Sequence, residues 1–169
     1  AGSYVGADKL RFDFTHPKAV DPDTLSTVSA MVNAEISRRN TVATRVEPIE
    51  KAREYGAVTL LGEQYGEKPR FVLIGPQGWT DHTDRFSLEL CGGTHVSNTA
   101  EVGTFKILRE SSVAAGVRRI EALAGKAVAD FDLLREQQDQ QNQTQLRMRE
   151  RELLEQVASF GGKAEQSPT

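Results

Sequence analysis

The chain holds a single cysteine, Cys91, and one of its three histidines follows four positions later, in Leu90-Cys91-Gly92-Gly93-Thr94-His95-Val96. A thiolate and an imidazole are ligands that zinc prefers, and a tetrahedral zinc site takes four such groups. Gly92 and Gly93 allow the backbone between them to turn tightly and aim both side chains at one point. Two ligands make half a site. On spacing alone, the same pair also describes a buried free cysteine beside a loop histidine. The hydroxyl of Thr94 either meets a ligand or caps the backbone of its own turn.

Positioning these residues falls to the elements around them. Phe86 to Leu90 reads as a strand leading into the turn. Earlier, Lys9 to Phe14 alternates apolar and charged residues as a half-buried strand does, and His16-Pro17 ends it. Asp21-Pro22 reads as an N-cap with proline at the first helical position. Leu25, Val28, Met31 or Val32, and Ile36 then mark one face of an amphipathic helix, closed by Arg38-Arg39-Asn40. Thr41 to Val46 is β-branched and reads as a strand. A short helix over Pro48 to Tyr55 stops at Gly56. Ala57 to Leu61 and Arg70 to Ile74 read as strands flanking a turn-rich loop over residues 62–69, and Gly75 to Arg85 reads as a surface excursion around Trp79 and a solvated His82. Gly103 to Arg109 and Val117 to Leu123 complete the strands. Several strands with few helices and no regular alternation predict an α+β fold, mostly antiparallel.

Past Gly125 the pattern changes. Lys126 to Leu134 has apolar residues at helical spacing, Arg135 to Gln145 has none, and Leu146, Leu153 and Phe160 resume at heptad spacing. The expected organisation is a globular domain over 1–125, a helical arm over 126–160 and a flexible tail over 161–169. A net charge of −3 over 169 residues gives no whole-domain field for nucleic acid, so RNA contact needs a local patch and no DNA partner is expected. One cysteine excludes an internal disulfide framework and fits a reducing, cytoplasmic compartment. No apolar run suits a membrane span. The opening at Ala1, without methionine, looks like a cut fragment or a processed start.

Four motifs occur in order: Leu10-Arg11-Phe12-Asp13-Phe14, Leu88-Glu89-Leu90-Cys91-Gly92-Gly93-Thr94-His95-Val96, Gly103-Thr104-Phe105-Lys106-Ile107, and Ala115-Gly116-Val117-Arg118-Arg119-Ile120-Glu121-Ala122. In this order they resemble the editing domain of bacterial alanyl-tRNA synthetase, the second additional domain, over most of residues 1–125. Threonyl editing domains and free-standing alanyl-tRNA deacylases are relatives. The Cys-Gly-Gly-Thr-His form favours the alanyl branch, and the helical arm favours the synthetase. The resemblance implies hydrolysis of mischarged Ser-tRNA(Ala) and Gly-tRNA(Ala), with zinc held by a His-x-x-x-His pair together with Cys91 and His95. That pair lies upstream in the family and is not in this sequence, so the zinc site is expected to be incomplete and the isolated chain inactive. His16 and His82 lack the spacing to replace it.

Further candidates follow from the resemblance. Ala1-Gly2-Ser3 resembles the end of a pocket-lining Gln-x-Gly-Ser segment, which makes Ser3 a substrate contact. Gly92 and Gly93 bring backbone donors near an ester carbonyl or serve the turn alone. Arg118 and Arg119 are neighbours on a strand and point to opposite faces. One is expected to face the tRNA(Ala) acceptor end while the other pairs with a carboxylate such as Glu121; Lys106 and Arg109 extend the patch or are solvated charge. The parent's ATP- and Mg-dependent ligation of alanine belongs to domains whose motifs are absent here. The remaining domains of that synthetase are expected partners. The alternative is a free-standing alanyl-tRNA deacylase-like protein or a non-catalytic tRNA- or protein-binding module.

Overall fold

A computed structural model describes residues 2–59 and 64–161. In chain order the elements are β1 (Ser3–Val5), β2 (Leu10–Thr15), α1 (Pro22–Ser37), β3 (Thr41–Val46), α2 (Lys51–Tyr55), β4 (Arg70–Gly75), β5 (Ser87–Leu90), β6 (Phe105–Ala114), β7 (Val117–Ala124) and α3 (Lys126–Ser159). Two short 3-10 turns, Gly78–Thr80 and Thr99–Val102, join them. The strands form a four-stranded sheet in the order β1-β2-β7-β6 and a three-stranded sheet in the order β3-β4-β5. All the named strand pairs are antiparallel, which makes the fold α+β, as expected. Compact packing divides the chain into Ala1–Val128 and a second unit that begins at Ala129.

The smaller sheet is built on β4. Its Phe-Val-Leu-Ile run favours a strand with both faces covered, and Phe71 and Leu73 are fully buried. The register sets Phe71 opposite Leu90 and Leu73 opposite Leu88. These four residues and Ala52 form one core cluster, covered by Ile49, Tyr55, Ala57, Tyr65 and Trp79. The 75–85 segment is therefore more than a surface excursion. Trp79 packs on the core, its ring 5.7 Å from Tyr55, and the half-buried His82 ring lies 5.2 Å from Tyr55. Aromatic burial is large enough to draw a polar, glycine-bearing loop inward. Of the expected strand over 57–61, Val58 makes one bridge to Glu89, and residues 60–63 lie outside the described residues.

In the larger sheet, helix α1 starts as its sequence predicts, with Asp21 Oδ1 accepting from the Thr24 N–H at 2.8 Å. Its inward face is Leu25, Ser29, Val32, Asn33 and Ile36, while Val28 and Met31 are exposed. The short edge strand β1, opposite Leu10–Phe12, has no counterpart in the sequence reading. Strand β6 runs to Ala114, beyond the expected end at Arg109, because Gly116 at φ +69° turns it directly into β7. At the other end of this hairpin, Gly103 and Gly125 meet backbone to backbone. A Cβ on Gly103 would lie 2.9 Å from the Gly125 Cα, and both glycines have positive φ.

The second unit carries α3, a helix of 34 residues in all. Its only buried residue is Val128, which belongs to the first unit. Beyond it, the Arg149–Glu152 and Arg151–Glu155 pairs, each at 3.1 Å, link successive turns. Leu146, Leu153 and Phe160 are exposed, and residues 162–169, expected to form most of the flexible tail, lie outside the described residues.

Leu73→Ala is expected to destabilise the chain by about 2–5 kcal/mol through cavity formation. Val5→Ala, on the exposed edge, is expected to stay within about 0.5 kcal/mol. Urea unfolding followed by Trp79 fluorescence checks both.

Candidate functional site

The Cys91–His95 loop leaves β5 one residue past the core pair Phe71–Leu90, at the end of the smaller sheet where β4 begins. Its far end reaches the outer edge of β3, where the Val42 N–H donates to the Ser97 oxygen at 2.9 Å and Asn98 pairs with Thr41. At the near end, Arg70 Nε donates to the Cys91 oxygen at 3.0 Å, and Arg70 Nη2 donates to the Gly93 oxygen. The Gly93 N–H points at Cys91 Sγ, 3.4 Å away. Between the two ends, Gly92, Gly93, Thr94 and His95 are exposed, while Cys91 is half-buried.

A second clamp follows the loop. Asn98 caps the 3-10 turn Thr99–Val102, and Glu101 reaches back to the N–H groups of Ser97 and Asn98 at 3.1 and 2.9 Å. These bonds, with the Ser97 hydroxyl foremost, hold the Glu101 carboxyl below its ordinary range. The Asn98 amide donates to the Arg39 oxygen at 2.7 Å, and among the described residues Arg39 is the non-glycine residue with positive φ, +56°. Thr99 is buried and bridges the Asn40 N–H to the Glu35 oxygen. The loop is thus fixed to the C-terminal end of α1. Asn98 followed by Glu101 three positions on is a capping signature that could have revealed this clamp from sequence; nothing marks Arg70 in that way.

Gly92 and Gly93 do not shape the turn as expected. Neither has positive φ, and a Cβ on Gly92 would meet nothing within 4 Å. Two zinc-type donors, Cys91 and His95, lie on the loop. Among the described residues no group of three or more His, Cys, Asp or Glu could hold a metal ion. A tetrahedral site takes four ligands, so the described donors do not fit a complete zinc centre.

The remaining candidates lie on the larger sheet. Both arginines of the Arg118-Arg119 pair are ion-paired. Arg118 forks onto Glu110 through Nε and through Nη2 at 2.6 Å, with only 15% and 6% of the two side chains exposed. Arg119 forks onto Asp13 at 2.6 and 2.8 Å. Glu121, expected to pair with one of them, instead accepts from Arg109 at 2.9 Å. The physical reason is register: Arg119 stands directly opposite Asp13, and Glu121 directly opposite Arg109. These bonds lower the carboxyl pKa values of Glu110, Asp13 and Glu121, the arginine hydrogen bond being the largest cause in each. Ser3 is on the exposed edge strand β1, and His16 is half-buried beside Phe14, ring centroids 6.2 Å apart.

Residues 70–121 match the family described as the threonyl and alanyl tRNA synthetase second additional domain. The matched stretch begins at Arg70, contains the whole Cys91–His95 loop and ends at Glu121. Within that class the similarity is to alanine–tRNA ligases. The chain is 46% identical over 131 residues to that of Elusimicrobium minutum, covering 78% of this chain and 15% of the relative. To that of a Ruegeria species it is 51% identical over 128 residues, 75% of this chain and 14% of the relative. To that of a Synechococcus species it is 42% identical over 160 residues, 95% of this chain and 17% of the relative. The chain belongs to the alanyl-tRNA synthetase family, as a segment carrying the second additional domain. It spans about one-seventh of the length of these relatives.

A depressed carboxyl pKa stabilises the fold above the ordinary glutamate value, about 4.3, and that contribution is lost as pH falls through the lower folded value. Urea midpoints measured from pH 7 downward are expected to fall through the acid range. Glu110→Gln is expected to lower the neutral midpoint and flatten the acid limb.

Proposed function

We propose that this chain supplies the editing function of an alanyl-tRNA synthetase, hydrolysis of the aminoacyl ester in Ser-tRNA(Ala) and Gly-tRNA(Ala). The observation that carries it is the Cys91–His95 loop, clamped at both ends and exposed in the middle, inside the matched family segment. The chemical need is general. A pocket made for alanine discriminates against glycine by only about 1–3 kcal/mol, one methyl group, and an apolar pocket rejects the added hydroxyl of serine poorly. A second, hydrolytic site removes what the first admits.

In this reading Cys91 and His95 are two of four zinc ligands, and the other two come from outside the described residues. The tRNA(Ala) acceptor end approaches the exposed Gly92–Thr94 backbone, with Ser3 and Arg119 as further contacts. Arg118 is held inward by Glu110 and contributes through the sheet. The remaining synthetase domains are the partners, ATP- and Mg-dependent ligation is theirs, and the compartment is the cytoplasm; no described helix is long and apolar enough to cross a membrane. The donor count favours one alternative, a module that binds tRNA or protein without catalysis.

Purified chain and its Cys91→Ala variant, dialysed against a mild chelator, are both expected to retain little zinc. Near-stoichiometric zinc that disappears in the variant would show that this chain completes the site. In the full synthetase, Cys91→Ala is expected to let Ser-tRNA(Ala) persist, read as residual ester over time. Undiminished hydrolysis in that variant would leave the binding module as the better account.

A further inference from the structure

Arg70 makes three hydrogen bonds with one turn. Its backbone oxygen accepts from the Cys91 N–H at 3.1 Å, its Nε donates to the Cys91 oxygen at 3.0 Å, and its Nη2 donates to the Gly93 oxygen. Arg109, Arg118 and Arg119 each face a carboxylate, whereas these Arg70 donors go to main-chain oxygens. The guanidinium is a rigid planar fork that holds two acceptors in fixed relation, whereas an ammonium's donors sit on one flexible point of charge. The residue is also well anchored, since it opens β4 beside the fully buried Phe71.

The turn needs such an external constraint. Its glycines are not in the left-handed region. A Cβ on Gly92 meets nothing, and one on Gly93 touches only Cys91 Sγ, at 3.5 Å. Local backbone preference therefore leaves several shapes open to Cys91-Gly92-Gly93, and glycine widens that choice. The Arg70 fork selects one of them. In that shape the Gly93 N–H points at Cys91 Sγ, 3.4 Å away.

We propose that Arg70 is a positioning residue for the Cys91–His95 loop, fixing the Cys91 and Gly93 carbonyls and thereby the Cys91 thiol and the Gly93 N–H, without itself touching substrate. This rests on the reading of that loop as the hydrolytic site.

The test uses Arg70→Gln, Arg70→Lys and Cys91→Ala. Cys91 is the only thiol in the chain, so its labelling rate with a soluble aromatic disulfide reports the turn directly. Loss of the two guanidinium bonds is expected to raise that rate about tenfold in both Arg70 variants, with urea midpoints lowered by no more than the equivalent of that change and unfolding still a single transition. Labelling rates equal to the unsubstituted chain overturn the proposal. In the full synthetase, kcat for Ser-tRNA(Ala) hydrolysis is expected to fall about 10- to 100-fold in both Arg70 variants, with KM little changed, as for a misplaced reacting group. Full rescue by lysine, or a rise in KM with kcat held, also overturns it. Undiminished hydrolysis in Cys91→Ala sinks the functional reading instead, and the labelling rates still decide whether Arg70 holds the turn.

Discussion

The contact on which the candidate site depends is Phe71 against Leu90, the last pair of the β4–β5 ladder. Each is buried, and they stand directly opposite each other. One residue beyond this pair on each strand are Arg70 and Cys91. Hydrophobic burial fixes register because a one-residue slip would move Phe71 and Leu73 to the face that Val72 takes and break their pairing with Leu90 and Leu88. The same burial therefore decides that the guanidinium and the cysteine turn meet. An apolar constraint sets polar geometry, and the loop inherits its place from the core pair one residue before it.

The larger sheet handles charge differently. Its strands bring arginines and carboxylates into register, and three forks or bridges result: Arg118–Glu110, Arg119–Asp13 and Arg109–Glu121. Removing one member of the half-buried Arg118–Glu110 pair leaves the other charge poorly solvated, which costs more than the pair itself contributes. An arginine so paired offers an approaching phosphate less net attraction than its sequence position suggests. Of the three, Arg109 is the most exposed, and Arg119 stays paired with an Asp13 carboxylate whose pKa that pairing lowers.

Much of this was legible in the sequence where local chemistry is strong. The Asp21-Pro22 cap and the Thr41–Val46 strand were placed to the residue, because a cap and a β-branched run are decided by near neighbours. The antiparallel α+β class followed from the same pattern. Three kinds of feature escaped. Strand β1 is three residues long and exists only by pairing with β2. Trp79 and His82 were drawn inward by Tyr55, a contact across more than twenty positions of sequence. The partners of Arg118 and Glu121 depend on a sheet with register shifts between Ile107 and Arg109 and between Ser112 and Ala114, which no alternation pattern encodes. Of the candidate site, Cys91 and His95 were visible as residue types and the Asn98–Glu101 clamp was open to reading from its capping spacing, but the Arg70 clamp was visible only in three dimensions.

Helix α3 adds a constraint of another kind. Thirty-four residues at about 1.5 Å each make a rod of about 51 Å. Every residue also turns the rod by about 100°, so its length and its phase are tied together. Deleting a single residue from the polar middle would shorten it trivially yet swing Leu146, Leu153 and Phe160 more than a quarter turn about the axis. Deleting seven would nearly restore their heading, about 20° off. Along the solvated stretch from Arg135 to Gln145, a polar-for-polar substitution leaves the phase of the helix unchanged, whereas a change in residue count shifts it.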